Sequence, residues 1–528
     1  MMMISCSSFF DIPFLATLIA LILAATLFII RDHRKLTKTT AGSNLPPGPW
    51  KLPIIGNIHQ MVGDQPHRRL RDLARKHGPD VMRLQLGHLP VIVISTPESA
   101  KLVMKTHDLA FASRPHLLAA DILYYGCKDI GFSPYGEYWR QMRKLCTQEL
   151  FSAKRVLSFG HIREQEVSKL VASLALSAAG GKRPVDLGRA FHTLMSTVTS
   201  RAVFGKPQEL TDAFMVILNN ISDVFASFKI SDLYPSLKLL PALTGYKAQL
   251  EKMHKAADTI LVRIIDEHKS RRKVAIREDD HDHHHHHHGE NEDLVDVLLN
   301  LHEQQDIGVP ITMEVIKAIT LELFLASIET TSRAIEWTMS EMVNDSRVLQ
   351  KAQQEVRQVF GNDIKNHFDE ASLDQLKYLD MVIAESLRLH PPAPLVAPRE
   401  NRDKKVQLNL YEVPVNTNVI VNAWAVNRDP RYWTEPEKFY PERFMNCSID
   451  YQGNDFRFIP FGAGRRICPG ASFGMAVVKI TLASLLSNFD WTLPDDLKSI
   501  DMTECFEATL KRQYALLLIP VLRPPALN

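Results

Sequence analysis

The most informative stretch of this sequence is PFGAGRRICPG, residues 460–470, which an apolar helical pattern from Ala471 through Leu486 follows. It holds one cysteine, Cys468, in a glycine-rich loop that opens a helix. Such a thiol keeps its ionised form only if a cation compensates it, and the free N–H groups at a helix N-terminus help. Iron is such a cation. A buried structural cysteine is the alternative, because free cysteine packs as a small hydrophobe.

The composition predicts a folded protein without a nucleic-acid partner. The 528 residues are 45% hydrophobic and 23% charged, enough apolar material to bury a large core. Lys and Arg (62) nearly balance Asp and Glu (60), so the chain has no basic field of the kind that holds nucleic acid. The cysteines are scattered without a CxxC pair, which argues against a disulfide scaffold and a zinc finger.

The amino terminus predicts a single membrane anchor over residues 1–30. Ile12 to Ile30 carries no charge and is long enough, as a helix, to cross the ~30 Å hydrocarbon core of a bilayer. A cleaved signal peptide is the alternative, but its apolar region is usually only ~7–15 residues long. Basic residues follow the span, so the positive-inside rule places the rest of the chain in the cytosol. Residues 31–53 predict a basic, proline-rich linker.

Residues 54–528 predict one mainly helical domain with small β-sheets. Strand-like runs are short, such as VIVIS at 91–95 and VIVNA at 419–423, and the sequence shows no internal repeat. The segment 277–293 is low in complexity and includes the histidine run 283–288. We expect a solvated loop there, with metal binding by the histidines as the alternative.

The loop meets the pattern F-x-x-G-x-R-x-C-x-G with Phe461, Gly464, Arg466, Cys468 and Gly470. Glycines let the backbone approach a flat cofactor, and their N–H groups can point at the sulfur. At these residues, and over essentially its whole length, the chain resembles the cytochrome P450 family. The resemblance implies the cytochrome P450 fold, haem b as cofactor, and Cys468 as the axial iron ligand, whose thiolate favours O–O cleavage.

A second motif lies in the helix predicted over 312–344, which a threonine N-cap opens. Its apolar stripe reaches Thr330 beside Glu329, a pattern that an ordinary core seam with a polar neighbour also fits. By resemblance to the family pattern [AG]-G-x-[DE]-T-[TS], Glu329 and Thr330 are the catalytic acid and alcohol that relay protons to dioxygen. Ser327 stands where glycine is usual, and we expect it to bond back to the Leu323 carbonyl and bend the helix.

Other arginines are assigned to the cofactor by resemblance. Trp139 and Arg143, at i,i+4 spacing in WRQMR, and Arg399 in APRE would hold the haem propionates together with Arg466. The fork of an arginine suits a carboxylate. For Arg399 a solvated surface position is the alternative.

A buried structural network is also implied. Glu385 and Arg388 lie three residues apart in AESLRLHPP, and Arg443 follows in PERF. An exposed i,i+3 pair, worth ~0.5 kcal/mol, is the ordinary reading of such spacing. By resemblance, the three residues lock the chain ahead of the cysteine loop.

The resemblance implies NADPH-dependent insertion of one oxygen atom from dioxygen into an apolar metabolite, with electrons from NADPH–cytochrome P450 reductase at the endoplasmic reticulum membrane. LPPGPWKLPIIGN and NAWAVNRDP resemble the plant A-type branch, particularly its terpenoid oxidases and, among these, casbene-type diterpene oxidases. Residues 117–128, 323–328 and 395–397 would line the substrate pocket by analogy.

Four alternatives to this function remain at this point. Two are related chemistries: a fatty-acid epoxygenase or hydroxylase, and a haem-thiolate enzyme that rearranges hydroperoxides without a reductase. The other two are a non-enzymatic haem sensor or carrier and a metal-handling membrane protein that uses the histidine run. Glu329 and Thr330 argue against the hydroperoxide enzyme and the sensor, neither of which needs a proton relay.

Overall fold

The protein is described here from a computed structural model, which covers residues 44–181, 183–205, 211–225, 229–279, 292–304, 310–361, 370–402, 404–494 and 497–523. The predicted anchor and the histidine run 283–288 lie outside these residues. Among the described helices, Ala471–Asn488 is long and apolar enough to cross a bilayer by length and composition, and 56% of it is buried inside the protein.

Helices make up most of the described structure. They are α1 (Pro66–His77), α2 (Pro97–Lys101), α3 (Leu118–Leu123), α4 (Glu137–Leu145), α5 (Ala153–Ser158), α6 (Gly160–Ala179), α7 (Leu187–Phe204), α8 (Thr211–Phe225), α9 (Ile230–Leu233), α10 (Leu240–Leu243), α11 (Tyr246–Asp279), α12 (Leu294–Glu303), α13 (Met313–Asn344), α14 (Ser346–Phe360), α15 (Glu370–Leu373), α16 (Lys377–Leu389), α17 (Ala423–Val426) and α18 (Ala471–Asn488). Short 3₁₀ turns at Ile58–Gln60, Pro441–Phe444 and Gly464–Arg466, and π turns at Leu102–Thr106 and Cys146–Leu150, complete the helical part.

The strands are short and form small sheets. They are β1 (Val81–Leu86), β2 (Leu89–Ile94), β3 (Val185–Asp186), β4 (Leu395–Asn401), β5 (Val406–Leu408), β6 (Tyr411–Val413), β7 (Thr417–Asn422), β8 (Phe489–Thr492), β9 (Glu504–Phe506), β10 (Leu510–Arg512) and β11 (Leu517–Leu522). The largest described sheet has the order β1-β2-β7-β4, and smaller sheets have the orders β3-β11-β8, β9-β10 and β5-β6.

Both strand-like runs of the sequence lie in the largest sheet. VIVIS falls on β2 and VIVNA on β7, which pair in parallel with Ile92 opposite Val419. Their β-branched side chains are buried, as expected for strands covered on both faces. The prediction of a mainly helical fold with small β-sheets is confirmed.

The 32-residue helix α13 runs through the core and packs against α7 and α18. It begins after Thr312, whose Oγ1 accepts a hydrogen bond from the Val315 N–H at 3.4 Å, so the predicted cap is confirmed. The cysteine loop leads directly into α18. Because α18 lies against α13, the loop and the middle of α13 come to face each other.

The chain within the predicted linker contacts this body from residue 44 onward. The Arg83 N–H of β1 donates to the Pro47 carbonyl at 2.8 Å, and Pro46 and Pro49 are buried. These prolines therefore pack against the edge of the main sheet.

The implied structural network is present. Arg388 forms a two-pronged contact with Glu385, at 2.7 and 2.8 Å, and both side chains are fully buried. Arg443 donates to the same carboxylate at 2.8 Å, and the Tyr440 N–H donates to it at 2.9 Å. Further Arg388 N–H groups reach the carbonyls of Asn427 and Pro436. The reading of Glu385, Arg388 and Arg443 as a buried lock is confirmed.

Candidate haem site

A cavity separates the middle of α13 from the cysteine loop. It encloses about 1170 Å³ of atom-free space, its mouth included. One wall is the α13 face that carries Leu323, Ala326 and Thr330, and the opposite wall is the loop with Cys468 and the start of α18. Apolar side chains close much of the remainder, namely Ile130, Leu150, Phe151, Phe159, Ala202, Val203, Leu294, Phe461 and Phe473.

The Cys468 thiol lines this cavity. Burial raises the pKa of the thiol, while the N–H groups of Gly470 and Ala471 act in the opposite direction by hydrogen bonding to the sulfur. The Cys468 N–H itself donates to the Phe461 carbonyl at 3.0 Å, which closes the loop. The sulfur thus lies at the N-terminus of α18 among donors that favour its ionised form, as the sequence predicted for Gly470.

The structure gives Gly464 a reason of its own, apart from the predicted approach to a cofactor. A Cβ placed on Gly464 would lie 1.9 Å from the Met104 carbonyl oxygen, and the residue has a φ of +70°. Gly464 is therefore required by the turn and by the close approach of the 102–106 segment, and its role toward a cofactor stays a prediction. Gly470 does line the cavity.

Arg466 anchors one edge of the cavity. Its guanidinium lies 4.2 Å from the centre of the Trp139 ring and donates to the carbonyls of Ile130 (2.9 Å) and Ser133 (2.6 Å). The Trp139 Nε1 donates to the same Ile130 carbonyl at 2.9 Å. Trp139 and Arg466, predicted from separate motifs, are thus brought together.

Three guanidinium groups lie close to one another at this edge. Arg466 is joined by Arg399, which is 1% exposed, and by Arg114, which lines the cavity. Burial and the charge of Arg399 lower the pKa of Arg466 to about 9, and burial with the charges of Arg466 and Arg399 lowers the pKa of Arg114. The alternative of a solvated Arg399 is therefore wrong.

The partners of these arginines are mostly backbone oxygens. Arg114 donates to the carbonyls of Gly131, Ala397 and Pro398. Arg399 donates to the Ala463 carbonyl and, at 3.1 Å, to Asp108, while its buried Nε has no hydrogen-bond partner among the described residues. Carbonyls do not neutralise a guanidinium, so this edge is short of negative charge.

Arg143 lines the cavity on the cysteine side. It lies in α4, one turn after Trp139, and its Nη2 donates to the Ile467 carbonyl at 2.6 Å. The i,i+4 spacing read from WRQMR does place both residues on the face of α4 that meets the site.

On α13 the predicted acid and alcohol point in different directions. Thr330 lines the cavity, and its hydroxyl donates to the Ala326 carbonyl at 2.7 Å. The Glu329 carboxylate instead accepts hydrogen bonds from His192 of α7 and from Arg333, each at 3.1 Å. Burial alone would raise the pKa of Glu329, but these partners outweigh it and hold the pKa below its ordinary value.

Ser327 does bond back along its helix, but the predicted acceptor was wrong. Its hydroxyl donates to the Phe324 carbonyl, three residues back, at 3.1 Å, rather than to Leu323. It also lies 3.0 Å from the Thr199 hydroxyl of α7. The second hydroxyl draws the side chain toward α7, and both groups line the cavity.

A pair of buried carboxyl groups was not predicted. Glu322 lines the cavity, and its carboxylate accepts from the Ile130 N–H at 2.8 Å. Burial and the nearby Asp129 raise the pKa of Glu322 to about 8, and burial raises that of Asp129 to about 6. Glu322 comes so close to Gly131 that a Cβ there would lie 2.4 Å from Oε1. The 129–133 segment is thereby tied to α13 as well as to the arginine edge.

Of the three segments expected to line the substrate pocket, only 323–328 contributes to this cavity, through Leu323, Ala326 and Ser327. Residues of 117–128 and 395–397 do not appear among the described residues that line it. Arg114, Glu322 and His192 escaped the sequence reading because no local pattern marks them. The segment FASRP around Arg114 carries the same residue types as an ordinary surface turn.

The residues of the cavity fit a haem b group. A flat, largely apolar ring needs two facing apolar walls, which α13 and the cysteine loop supply. An iron ion needs a ligand, and one cysteine thiol faces the space. Two propionates need cations, and the edge formed by Arg114, Arg399 and Arg466 is short of negative charge. Fold and site together define a haem-thiolate protein.

The family model of cytochrome P450 matches residues 46–518. The chain is 46% identical to cytochrome P450 71D8 of Glycine max, over 92% of this chain and 94% of that one. It is 44% identical to premnaspirodiene oxygenase of Hyoscyamus muticus, over 93% and 95% of the two chains. It is 46% identical to desmethyl-deoxy-podophyllotoxin synthase of Sinopodophyllum hexandrum, over 94% and 96%.

A solved structure of a zebrafish cytochrome P450 with abiraterone matches with a TM-score of 0.70 at 25% identity, over 87% of this chain and all of that one. The chain therefore belongs to the cytochrome P450 family. It is a monooxygenase of plant specialised metabolism that uses haem b, with electrons from NADPH through a redox partner, and it acts on apolar substrates.

Proposed function

We propose that this cytochrome P450 oxidises a terpenoid, most specifically a diterpene of the casbene type, with Cys468 as the axial ligand of its haem iron. The observation that carries the assignment of the ligand is the Cys468 thiol, which lines an apolar slot and receives N–H donors from the start of α18. The resemblance to terpenoid oxidases carries the assignment of the substrate.

The cofactor would be held by the residues of both walls and of the arginine edge. Arg114, Arg399 and Arg466 supply guanidinium groups for the two propionates, and Arg143 supplies a fourth at the cysteine side. Trp139 keeps Arg466 in place by stacking on it. When bound, haem supplies the iron that activates dioxygen and inserts one oxygen atom into the substrate.

The described side chains of α13 perform the remaining work. Thr330 presents a hydroxyl to the cavity. Glu329, one residue earlier, carries the carboxylate that accepts and releases a proton. Proton transfer by a positioned group is worth ~10²–10⁴ in rate. Leu323 and Ala326 leave an apolar surface between them, against which a hydrocarbon substrate packs without losing hydrogen bonds.

The substrate class rests on sequence similarity rather than on the cavity. One relative at 44% identity is named for oxygenation of premnaspirodiene, whose ending denotes a hydrocarbon, while another at 46% bears the unrelated name of a podophyllotoxin synthase. Because the chain is similarly identical to these two relatives, overall identity does not distinguish between their two substrate classes. The terpenoid assignment comes from the LPPGPWKLPIIGN and NAWAVNRDP stretches.

The location is proposed from the apolar amino terminus. Residues 12–30 would anchor the chain in the endoplasmic reticulum membrane as a single span, with the catalytic domain in the cytosol. The redox partner there would be NADPH–cytochrome P450 reductase, which shares the same membrane face.

A feeding experiment tests this function. Microsomes that contain the full chain and a plant reductase are supplied with NADPH and separate terpene hydrocarbons, fatty acids and phenolics, and the products are identified by mass spectrometry. We expect oxygenated product from diterpene hydrocarbons such as casbene, and none without NADPH. Product from fatty acids or phenolics alone would contradict the terpenoid assignment, and product without NADPH would indicate a hydroperoxide-rearranging enzyme.

A further inference from the structure

The contact between α7 and α13 contains two polar pairs that the acid–alcohol motif does not explain. His192 and Thr199 lie seven residues apart on α7 and therefore on one face of it. His192 Nε2 donates to Glu329 at 3.1 Å, and the Thr199 hydroxyl lies 3.0 Å from that of Ser327. The rest of this face is apolar and includes the buried residues Met195, Val198 and Ala202.

The two pairs differ in what they touch. The side chains of His192 and Glu329 are 26% and 23% exposed, so this pair meets solvent. Thr199 is buried and, with Ser327, lines the cavity. His192 thus reaches Glu329 from the solvent side, while Thr199 and Ser327 mark where the same two helices meet the cavity.

We propose that His192 is the solvent-side proton donor to Glu329, and hence a further functional residue of the monooxygenase reaction. The Nε2–H bond of the imidazolium breaks as an O–H bond forms on Glu329, which leaves a neutral imidazole and a neutral carboxylic acid. Water returns a proton to the imidazole. Glu329 then gives its proton to water on the Thr330 side of α13 and is again a carboxylate.

Two observations favour histidine over the other partner of Glu329 in this role. Arg333 also contacts the carboxylate, and Glu336 in turn holds Arg333 at 2.9 Å. A guanidinium keeps its protons under all working conditions, whereas imidazole is the side chain that exchanges protons near neutral pH. His192, Arg333 and, through Arg333, Glu336 are the charged groups described around Glu329. Arg333 therefore fixes the charge and His192 exchanges the proton.

Two variants separate proton exchange from simple charge pairing. His192→Gln removes both the charge and the exchangeable proton. His192→Lys retains a cation for Glu329 but does not exchange protons near neutral pH. His161→Gln is the matched control, because His161 is an exposed histidine on α6 whose Nδ1 hydrogen-bonds the Ser158 carbonyl at the end of α5, away from the carboxylate of Glu329. All variants are full chains in microsomes, and their haem absorption verifies loading.

The first measurement is thermal unfolding of the ferric protein without turnover. Because the pKa of Glu329 is lowered in the folded protein, its pairing adds stability above its unfolded pKa, and that stability is lost as the pH falls through the folded pKa. We expect His192→Gln to lower Tm at pH 6 and to converge with the parent chain at low pH. His192→Lys should recover the Tm at pH 6.

The second measurement is NADPH consumption with reductase, between pH 6 and 8.5, in H₂O and in D₂O. We expect about a tenfold slower rate and a larger solvent isotope effect in both His192→Gln and His192→Lys, with His161→Gln like the parent. Parent-like rates and isotope effects in His192→Gln would overturn the proposal. Full recovery of rate and pH profile by His192→Lys would also overturn it, because charge alone would then suffice.

Discussion

The lock before the cysteine loop and the arginine edge of the cavity are both built from buried arginines. Only in the lock do the arginines share a carboxylate partner. In the lock, Arg388 and Arg443 share the Glu385 carboxylate and their remaining N–H groups reach carbonyls. At the edge, Arg466 and Arg114 donate only to carbonyls and repel each other. A buried charge without a counter-charge is unstable, so the edge is suited to an anion and the lock is suited to holding the fold.

The largest effect is expected where the lock is broken. Glu385→Gln would leave two buried guanidiniums without a counter-charge and cost about 3–5 kcal/mol of unfolding free energy. Little haem-loaded protein should accumulate, as measured by haem absorption per unit of chain. Arg263→Gln is the control, since Arg263 forms an exposed pair with Glu267. A Glu385→Gln protein as stable as the parent would mean that the lock does not hold the fold.

The arginine edge should behave differently. Arg466→Met removes a cation that forms no ion pair with a described carboxylate, and its acidic neighbours Asp129 and Glu322 have raised pKa values, so the haem-free chain should lose little stability. Haem retention should fall, because a charge-assisted hydrogen bond is worth ~1.5–3 kcal/mol, or about 10- to 100-fold in affinity. Transfer of haem to excess apomyoglobin measures the rate at which the protein loses its haem. Equal transfer from Arg466→Met and the parent would contradict the role of the edge.

The two carboxyl groups near the arginine edge, Glu322 and Asp129, predict a stability that depends on pH. The pKa of Glu322 is raised to about 8 and that of Asp129 to about 6, so the folded chain holds protons that the unfolded chain has released. Stability should therefore decline as the pH rises from about 4.5 toward 8. Glu322→Gln should flatten this decline, whereas Glu314→Gln, at an exposed carboxylate of the same helix, should not. Parallel Tm profiles for parent and Glu322→Gln would contradict the shifted pKa.

The smallest effect is expected at the α7–α13 hydroxyl pair. Thr199→Val removes the hydrogen bond between the two hydroxyls, about 1 kcal/mol. Ser327→Gly removes that bond and the one to the Phe324 carbonyl, and the glycine adds about 1 kcal/mol of helix cost. In a double-mutant cycle on Tm, the coupling of the two changes should equal that one hydrogen bond. Additive effects would show that the two hydroxyls do not interact.

Elements with a strong local signal were predictable. The threonine cap and the long apolar stripe predicted α13, and the β-branched runs predicted β2 and β7. Periodicity and capping depend on residues that are neighbours in the sequence, so they can be read from it. The cysteine loop was predictable for the same reason. Its five motif residues lie within ten positions of one another.

Contacts between distant segments were not predictable. His192 and Glu329 are 137 residues apart, and the Ile130 backbone meets Glu322 across 192 residues. No periodicity links such residues, and their pairing exists only once α7 and the 129–133 segment pack on α13. Gly464 shows the same limit, since its neighbour Met104 belongs to a π turn far away in the chain.

The central claim is that the Cys468 sulfur binds the haem iron. The most direct test is the absorption band that the reduced protein forms with carbon monoxide, which is diagnostic of a sulfur ligand. The parent chain should show this band, and Cys468→Ser should lose it, while Cys146→Ser, at a buried cysteine near the same cavity, should keep it. A Cys468→Ser protein that retains the sulfur-ligand band would contradict the account.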